Sequence, residues 1–205
     1  MQGYKFECEL MSWSRFSELS ENVAEKINAS GYKPDFMVGL ARGGWVLSRV
    51  LCDYLGVKDL VSLKVEHWGV TATPDGKASI KYAFDIDLSG KKVLVVDDIT
   101  DTGESLTVAV DYVGKKNPAM VKTAALLHIE GSKFTPYFYG EEIKWRWVVF
   151  PWNVVEDLCN IIPKLATDDP HEIKLRLLRD HSIELPLARV KEIQVEILRR
   201  KYSDT

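Results

Sequence analysis

Cysteine is scarce. Cys8, Cys52 and Cys159 are the only three in 205 residues. Their number is odd and their spacing scattered, which excludes a disulfide framework and a cysteine-based metal site. Excess positive charge is missing too: the net charge of −3 gives no electrostatic case for non-specific nucleic-acid binding. There is no apolar run of about 18 residues, which excludes a transmembrane helix. The opening stretch, MQGYKFECELMSWS, lacks the basic and apolar regions of a signal peptide. These absences point to a cytoplasmic protein with reduced cysteines. What is present is ordinary for a globular chain, with 46% hydrophobic and 28% charged residues. The length allows one sizeable core with an appendage.

Residues 93–105, VLVVDDITDTGES, carry the densest chemistry. Val93 to Val96 are apolar without alternation, as in a strand buried on both faces of a parallel sheet. Asp97 and Asp98 follow at its C-terminal end, where open α/β sheets bind ligands. Thr100, Asp101, Thr102, Gly103, Glu104 and Ser105 then open an amphipathic helix. Backbone N–H groups at a helix start, joined by Thr and Ser hydroxyls, suit a phosphate group. The acids suit sugar hydroxyls or a metal.

Strand, glycine-bearing turn and helix recur along the chain. A helix capped by Ser12 or Ser14 is expected to run to about Ala29, with Phe16, Leu19, Val23 and Ile27 on one face. Phe36 to Leu40 is a second buried strand, followed by Ala41-Arg42-Gly43-Gly44 and a helix to Leu55. Two glycines allow close backbone approach to a ligand, and Arg42 can fork onto phosphate oxygens. A tight turn with a surface arginine would look the same. Val61 to Val65 is a third strand, and residues 66–77 form a long loop or hairpin returning through Ser79 to Phe84. Val121 to His128 is another strand. Trp145 to Phe150 is expected to be the last strand of the sheet. The alternation argues a doubly wound parallel sheet with right-handed crossovers.

The pattern of four hydrophobics, two acids, two residues and D-T-G-x-S resembles the signature of the type I phosphoribosyltransferases, which bind 5-phosphoribosyl-1-pyrophosphate (PRPP). The resemblance covers roughly residues 10–160. It implies the type I phosphoribosyltransferase fold: an α/β core with a central parallel five-stranded sheet flanked by helices, and a small hood. Here the core would be residues 1–163 and a C-terminal helical appendage residues 164–205. It further implies Mg2+, a homodimer and a mobile flap at residues 66–77. In that loop His67 is either an acid or base or a histidine without a chemical role.

The resemblance also assigns roles. Asp97 and Asp98 would hold the ribose hydroxyls and the metal, and Thr100 to Ser105 the 5′-phosphate. Ala41, Arg42, Gly43 and Gly44 would hold pyrophosphate. Arg-Gly-Gly is similar to the xanthine-guanine enzymes, in which the peptide entering this loop is often cis; that is expected of Ala41–Arg42. Asp101 would exchange a proton with N7 of a purine, unless it only caps the helix. The implied reaction joins N9 of a purine to C1′ of PRPP, releasing pyrophosphate.

Residues 144–153, KWRWVVFPWN, resemble the hood segment of the 6-oxopurine enzymes. Trp147 would stack on the purine, unless it is simply core, and Val148 would read its edge through the backbone. Ile99 would line the base. Two departures stand out. Asn153 occupies the place of a magnesium-binding Asp, and an amide oxygen brings no charge. The lysine expected near Ile129-Glu130 to donate to a 6-oxo group is absent, and Lys133 stands a few residues late. That count slightly favours adenine, with a 6-oxopurine (hypoxanthine, guanine or xanthine) as the alternative. The appendage is expected to form two helices, one from Asp168 or Asp169 and one after Pro186. A PRPP-sensing regulator contacting DNA through them is the rival from another class. Dimerisation or docking suits their balanced charge better.

Overall fold

The structure, a computed structural model, describes residues 5–68 and 74–203. It divides into two compact units, one of residues 14–68 with 74–145, the other of residues 5–13 with 146–203 among those described. The first strand, β1 (Cys8–Leu10), belongs to the second unit, and α1 (Trp13–Ala29) runs from the boundary into the first.

The larger unit continues with β2 (Phe36–Ala41), α2 (Gly43–Leu55), β3 (Leu60–Trp68), β4 (Pro74–Tyr82), β5 (Lys92–Thr100), α3 (Glu104–Gly114), β6 (Met120–Ile129) and β7 (Phe138–Ile143). Its sheet has the order β4-β3-β2-β5-β6-β7. All pairings are parallel except β3 with β4, so the expected five parallel strands carry one antiparallel edge. β5 is central because its apolar run tolerates burial on both sides: Val93, Leu94, Val95 and Val96 are fully buried. One face meets Val38, Leu40 and Leu63 and the stripe Leu106, Ala109 and Val113 of α3. Each such valine or leucine contributes roughly 1.5–3 kcal/mol through burial. α1 buries Phe16, Val23 and Ile27, as its periodicity predicts.

The last strand of this sheet is β7, not the segment 145–150. The sequence FYGEEI hides an edge strand, because an edge tolerates the charges of Glu141 and Glu142 that a central strand does not. Trp147–Val149 forms β8 instead, in a separate two-stranded parallel ladder with β1.

In the smaller unit β8 is followed by α4 (Val154–Ile161), a 3-10 turn (Ile162–Leu165), α5 (Pro170–His181) and α6 (Leu187–Ser203). Asp169 caps α5, accepting a hydrogen bond from the His171 amide at 3.1 Å. The expected appendage beyond residue 163 shares one core with β1, β8 and α4: Cys8, Val149, Leu158, Ile161, Ile173, Leu177, Val190 and Ile193 pack together. Among the described residues no helix is long and apolar enough to cross a membrane.

Candidate functional site

The tip of β5 is the centre of the candidate site. Register pairs Val96 with Gly39 on one side and Asp97 with Ala125 on the other. The ladder with β2 ends at Val96 while that with β6 runs on to Thr100, so the acids stand in the strand just past its β2 partner. Arg42, Gly43, Asp97, Asp98, Ile99, Thr100, Asp101, Thr102, Gly103, Ser105 and Leu106 line a cleft of about 160 Å³. The larger unit thus brings most of the expected sugar-phosphate and pyrophosphate residues to one cleft; Ala41, Gly44 and Glu104 are not among those lining it. Leu106, buried on the α3 side, joins them without having been singled out by sequence.

The Arg42 loop is held by close packing. The Ala41–Arg42 peptide is cis, as the resemblance implies. The Trp45 amide donates to the Arg42 carbonyl at 3.3 Å, and the Ser48 hydroxyl to the Gly44 carbonyl at 2.6 Å. Gly43 and Gly44 are required by proximity. A Cβ on Gly43 would lie 1.6 Å from Asp98 Oδ2, and one on Gly44 would lie 2.5 Å from the Val96 carbonyl oxygen. Neighbouring strands thus place the loop directly against the two acids.

Asp97 and Asp98 are partly exposed at the cleft mouth. Asp97 Oδ1 accepts from the Asp98 amide at 3.0 Å, and Asp98 Oδ1 accepts from the Ile99 amide at 2.9 Å. Desolvation, and then the charge of Asp98, push Asp97 well above the usual carboxylate range. Asp98 is raised by desolvation as well, against the opposing hydrogen bonds from Asp97 and the Ile99 amide. Two acids in that condition favour a cation or donor hydroxyls between them.

The loop 101–105 closes on α3. Gly103 adopts the left-handed conformation at φ 82°, and its carbonyl accepts from the Thr107 amide at 3.0 Å and the Thr107 hydroxyl at 2.9 Å. Thr102 Oγ1 accepts from the Glu104 amide at 3.3 Å. The Glu104 carboxylate turns to the Ala78 amide of β4 at 3.3 Å. A contact invisible in sequence joins this loop to the one after β6: a Cβ on Gly103 would meet Phe134 Cβ at 2.4 Å and its backbone nitrogen at 2.9 Å. Lys133, beside Phe134, is exposed.

Of the residues expected at the base end, Ile99 and Lys133 lie in the larger unit, Ile99 in the cleft itself, whereas Trp147 and Val148 lie in the smaller one. Trp147 and Val148 stand in β8, opposite Cys8 and Glu9. Trp147 packs against that unit's core, and its amide donates to the Glu7 carbonyl at 3.0 Å. Asn153 sits at the start of α4 and makes no side-chain cap hydrogen bond. Residues 69–73 of the expected flap, and the His67 side chain, lie outside the described residues.

A profile described as the phosphoribosyl transferase domain matches residues 9–157. The hypoxanthine-guanine phosphoribosyltransferase of Aquifex aeolicus is 29% identical over 142 residues, covering 66% of this chain and 77% of that protein. Xanthine phosphoribosyltransferase 1 of Saccharomyces cerevisiae is 23% identical over 190 residues, covering 72% of this chain and 90% of that protein. A crystal structure of a purine phosphoribosyltransferase from Pyrococcus horikoshii superposes with a TM-score of 0.63 at 30% identity, covering 71% of this chain and 94% of that one.

Proposed function

The chain belongs to the type I phosphoribosyltransferase family, in its purine branch, and from that premise we propose that it transfers the phosphoribosyl group of PRPP to a 6-oxopurine, releasing pyrophosphate and a nucleoside 5′-monophosphate. The observation that carries the transfer reading is the Gly43–Asp98 approach. It sets a pyrophosphate-type loop, an acid pair and a phosphate-type helix start around one cleft.

In this reading the backbone of Thr100 to Ser105 and the hydroxyls of Thr102 and Ser105 receive the 5′-phosphate, adding the field of the α3 N-terminus to their hydrogen bonds. Arg42 and the amides of Gly43 and Gly44 take the leaving pyrophosphate. Asp97 and Asp98 hold the ribose hydroxyls. The acid pair also fits Mg2+, which binds through one or two carboxylates together with substrate phosphates. Bound there, the ion would neutralise charge on PRPP. Asn153 could add an amide oxygen only. Asp101 serves as acid/base toward N7 as charge develops on the ring.

The count along residues 129–133 points to adenine, whereas relatives named for hypoxanthine, guanine and xanthine favour a 6-oxopurine. Packing of Phe134 on Gly103 supports the second choice, because it anchors the residue next to Lys133 at the phosphate loop. Lys133, with its flexible four-carbon stem, is the proposed donor to the 6-oxo group. Trp147 and Val148 are proposed to stack on the base and read its edge; Ile99 is proposed to line it.

Competition decides between the bases. With PRPP, Mg2+ and equal amounts of hypoxanthine, guanine, xanthine and adenine, chromatography of the products is expected to show 6-oxopurine nucleotides in excess over AMP. Predominant AMP would reinstate adenine. No nucleotide from any base, with specific DNA binding, would favour the regulator.

A further inference from the structure

The tips of β5 and β6 are joined at two points. One is Gly103 against Phe134; the other is Thr100, which pairs with His128 across the ladder. Thr100 and His128 are 1% and 5% exposed. Thr100 Oγ1 and His128 Nδ1 are both buried, and neither has a hydrogen-bond partner among the described residues. Unpaired buried polar atoms are unfavourable, and two of them at one register position are a concentrated cost. Neighbouring strands stand roughly 4.8 Å apart, so a hydroxyl and an imidazole at paired positions can share one hydrogen bond, directly or through one water. The hydroxyl can donate, and Nδ1 can accept or donate according to tautomer.

Position gives this pair a use. Thr100 lines the cleft and immediately precedes Asp101 and the loop to Ser105, whereas His128 is not among the lining residues. We infer that His128 is a positioning residue: with substrate bound, its Nδ1 pairs with the Thr100 hydroxyl and fixes the start of the phosphate loop. The inference rests on the reading of this cleft as the PRPP site. His128 touches neither sugar nor phosphate; it acts through Thr100.

A histidine that merely fills the core behaves differently from one that positions the loop. His128→Leu removes an unpaired polar atom, so melting temperature is expected to hold or rise. Its KM for PRPP is expected to increase about tenfold while kcat stays within about twofold, the size of one lost hydrogen bond. His128→Asn places an amide where Nδ1 stands and is expected to restore KM. Thr100→Val is expected to raise KM equally, and His128→Leu/Thr100→Val no further than either single change. An unchanged KM in folded His128→Leu, an Asn variant no better than Leu, or fully additive effects would each overturn the inference. Should the wild type make no nucleotide from any base, the transfer reading fails. The inference is then tested by calorimetric binding of PRPP with Mg2+: equal weakening in the two single variants supports it, and wild-type affinity in His128→Leu overturns it.

Discussion

Gly43 and Gly44 are neighbours, but an added methyl meets different obstacles at each. At Gly43 the obstacle is the Asp98 carboxylate, a side chain that can swing aside. Gly43→Ala is therefore expected to fold with near-native melting temperature yet lose most activity, because Asp98 leaves its place beside Asp97. At Gly44 the obstacles are the Val96 carbonyl and the Asp97 backbone at 2.7 Å, which cannot move without distorting the sheet. Gly44→Ala is expected to lose about 1–3 kcal/mol of stability, read by thermal or urea denaturation. Equal melting temperatures for the two variants would contradict this assignment. These residues were legible in the sequence as a pair of permissive glycines. Which one guards the acid and which the backbone was not, since that depends on the register of β2 against β5. Thr100 and His128 were hidden for the same reason: 28 positions apart in numbering, they meet only through the β5–β6 ladder.

Among elements, β4 and α3 are tied by the Ala78 amide donating to Glu104 at 3.3 Å. A carboxylate in the first turn of α3 favours the helix but opposes an incoming phosphate. Turning it toward β4 reduces that conflict. Glu104→Ala removes the acceptor and is expected to raise KM for PRPP severalfold. Glu104→Gln keeps the acceptor, drops the charge, and is expected to leave KM unchanged or lower. A higher KM in both variants would show that the charge itself is needed.

α5 carries a second element-scale consequence. His181 is buried, its Nδ1 lies 3.2 Å from the Phe6 carbonyl, and its ring stands edge-on to Phe6. Burial pulls its pKa below the ordinary 6.5, outweighing the Phe6 hydrogen bond and the Asp180 charge. The fold thus prefers neutral His181, and the unfolded chain binds the proton more readily. The resulting stability is present above the unfolded pKa and is lost as pH falls below it, toward the lower folded value. Melting temperature is expected to decline from about pH 7.5 to about pH 5, and less steeply in His181→Leu. Equal slopes would remove His181 from that decline. The two C-terminal helices themselves were legible, because Pro170 and Pro186 mark their starts. The edge strand β7 was not, since its acidic residues fit a loop equally well.

At the scale of the whole molecule, the parallel sheet and the cleft residues of β5 followed from patterning: an unbroken apolar run, paired acids and a small polar turn. The division of the chain did not follow. The C-terminal helices looked like an addition beyond residue 163, yet their apolar stripes complete a core with Cys8, Val149 and Leu158. A stripe in sequence shows that a helix face is buried but does not name its partner. The base choice is likewise not legible in any one stretch, since the residues proposed for it, Ile99, Lys133, Trp147 and Val148, come from distant parts of the chain.

Phosphoribosyl transfer in the cleft at the β5 tip joins all these scales. It is tested most directly by mixing the protein with PRPP, Mg2+ and hypoxanthine and following nucleotide and pyrophosphate together. Equal amounts of the two are expected, and no pyrophosphate when the base is left out. Pyrophosphate appearing with ribose 5-phosphate in place of nucleotide, or PRPP binding tightly without turnover on any purine, would contradict it.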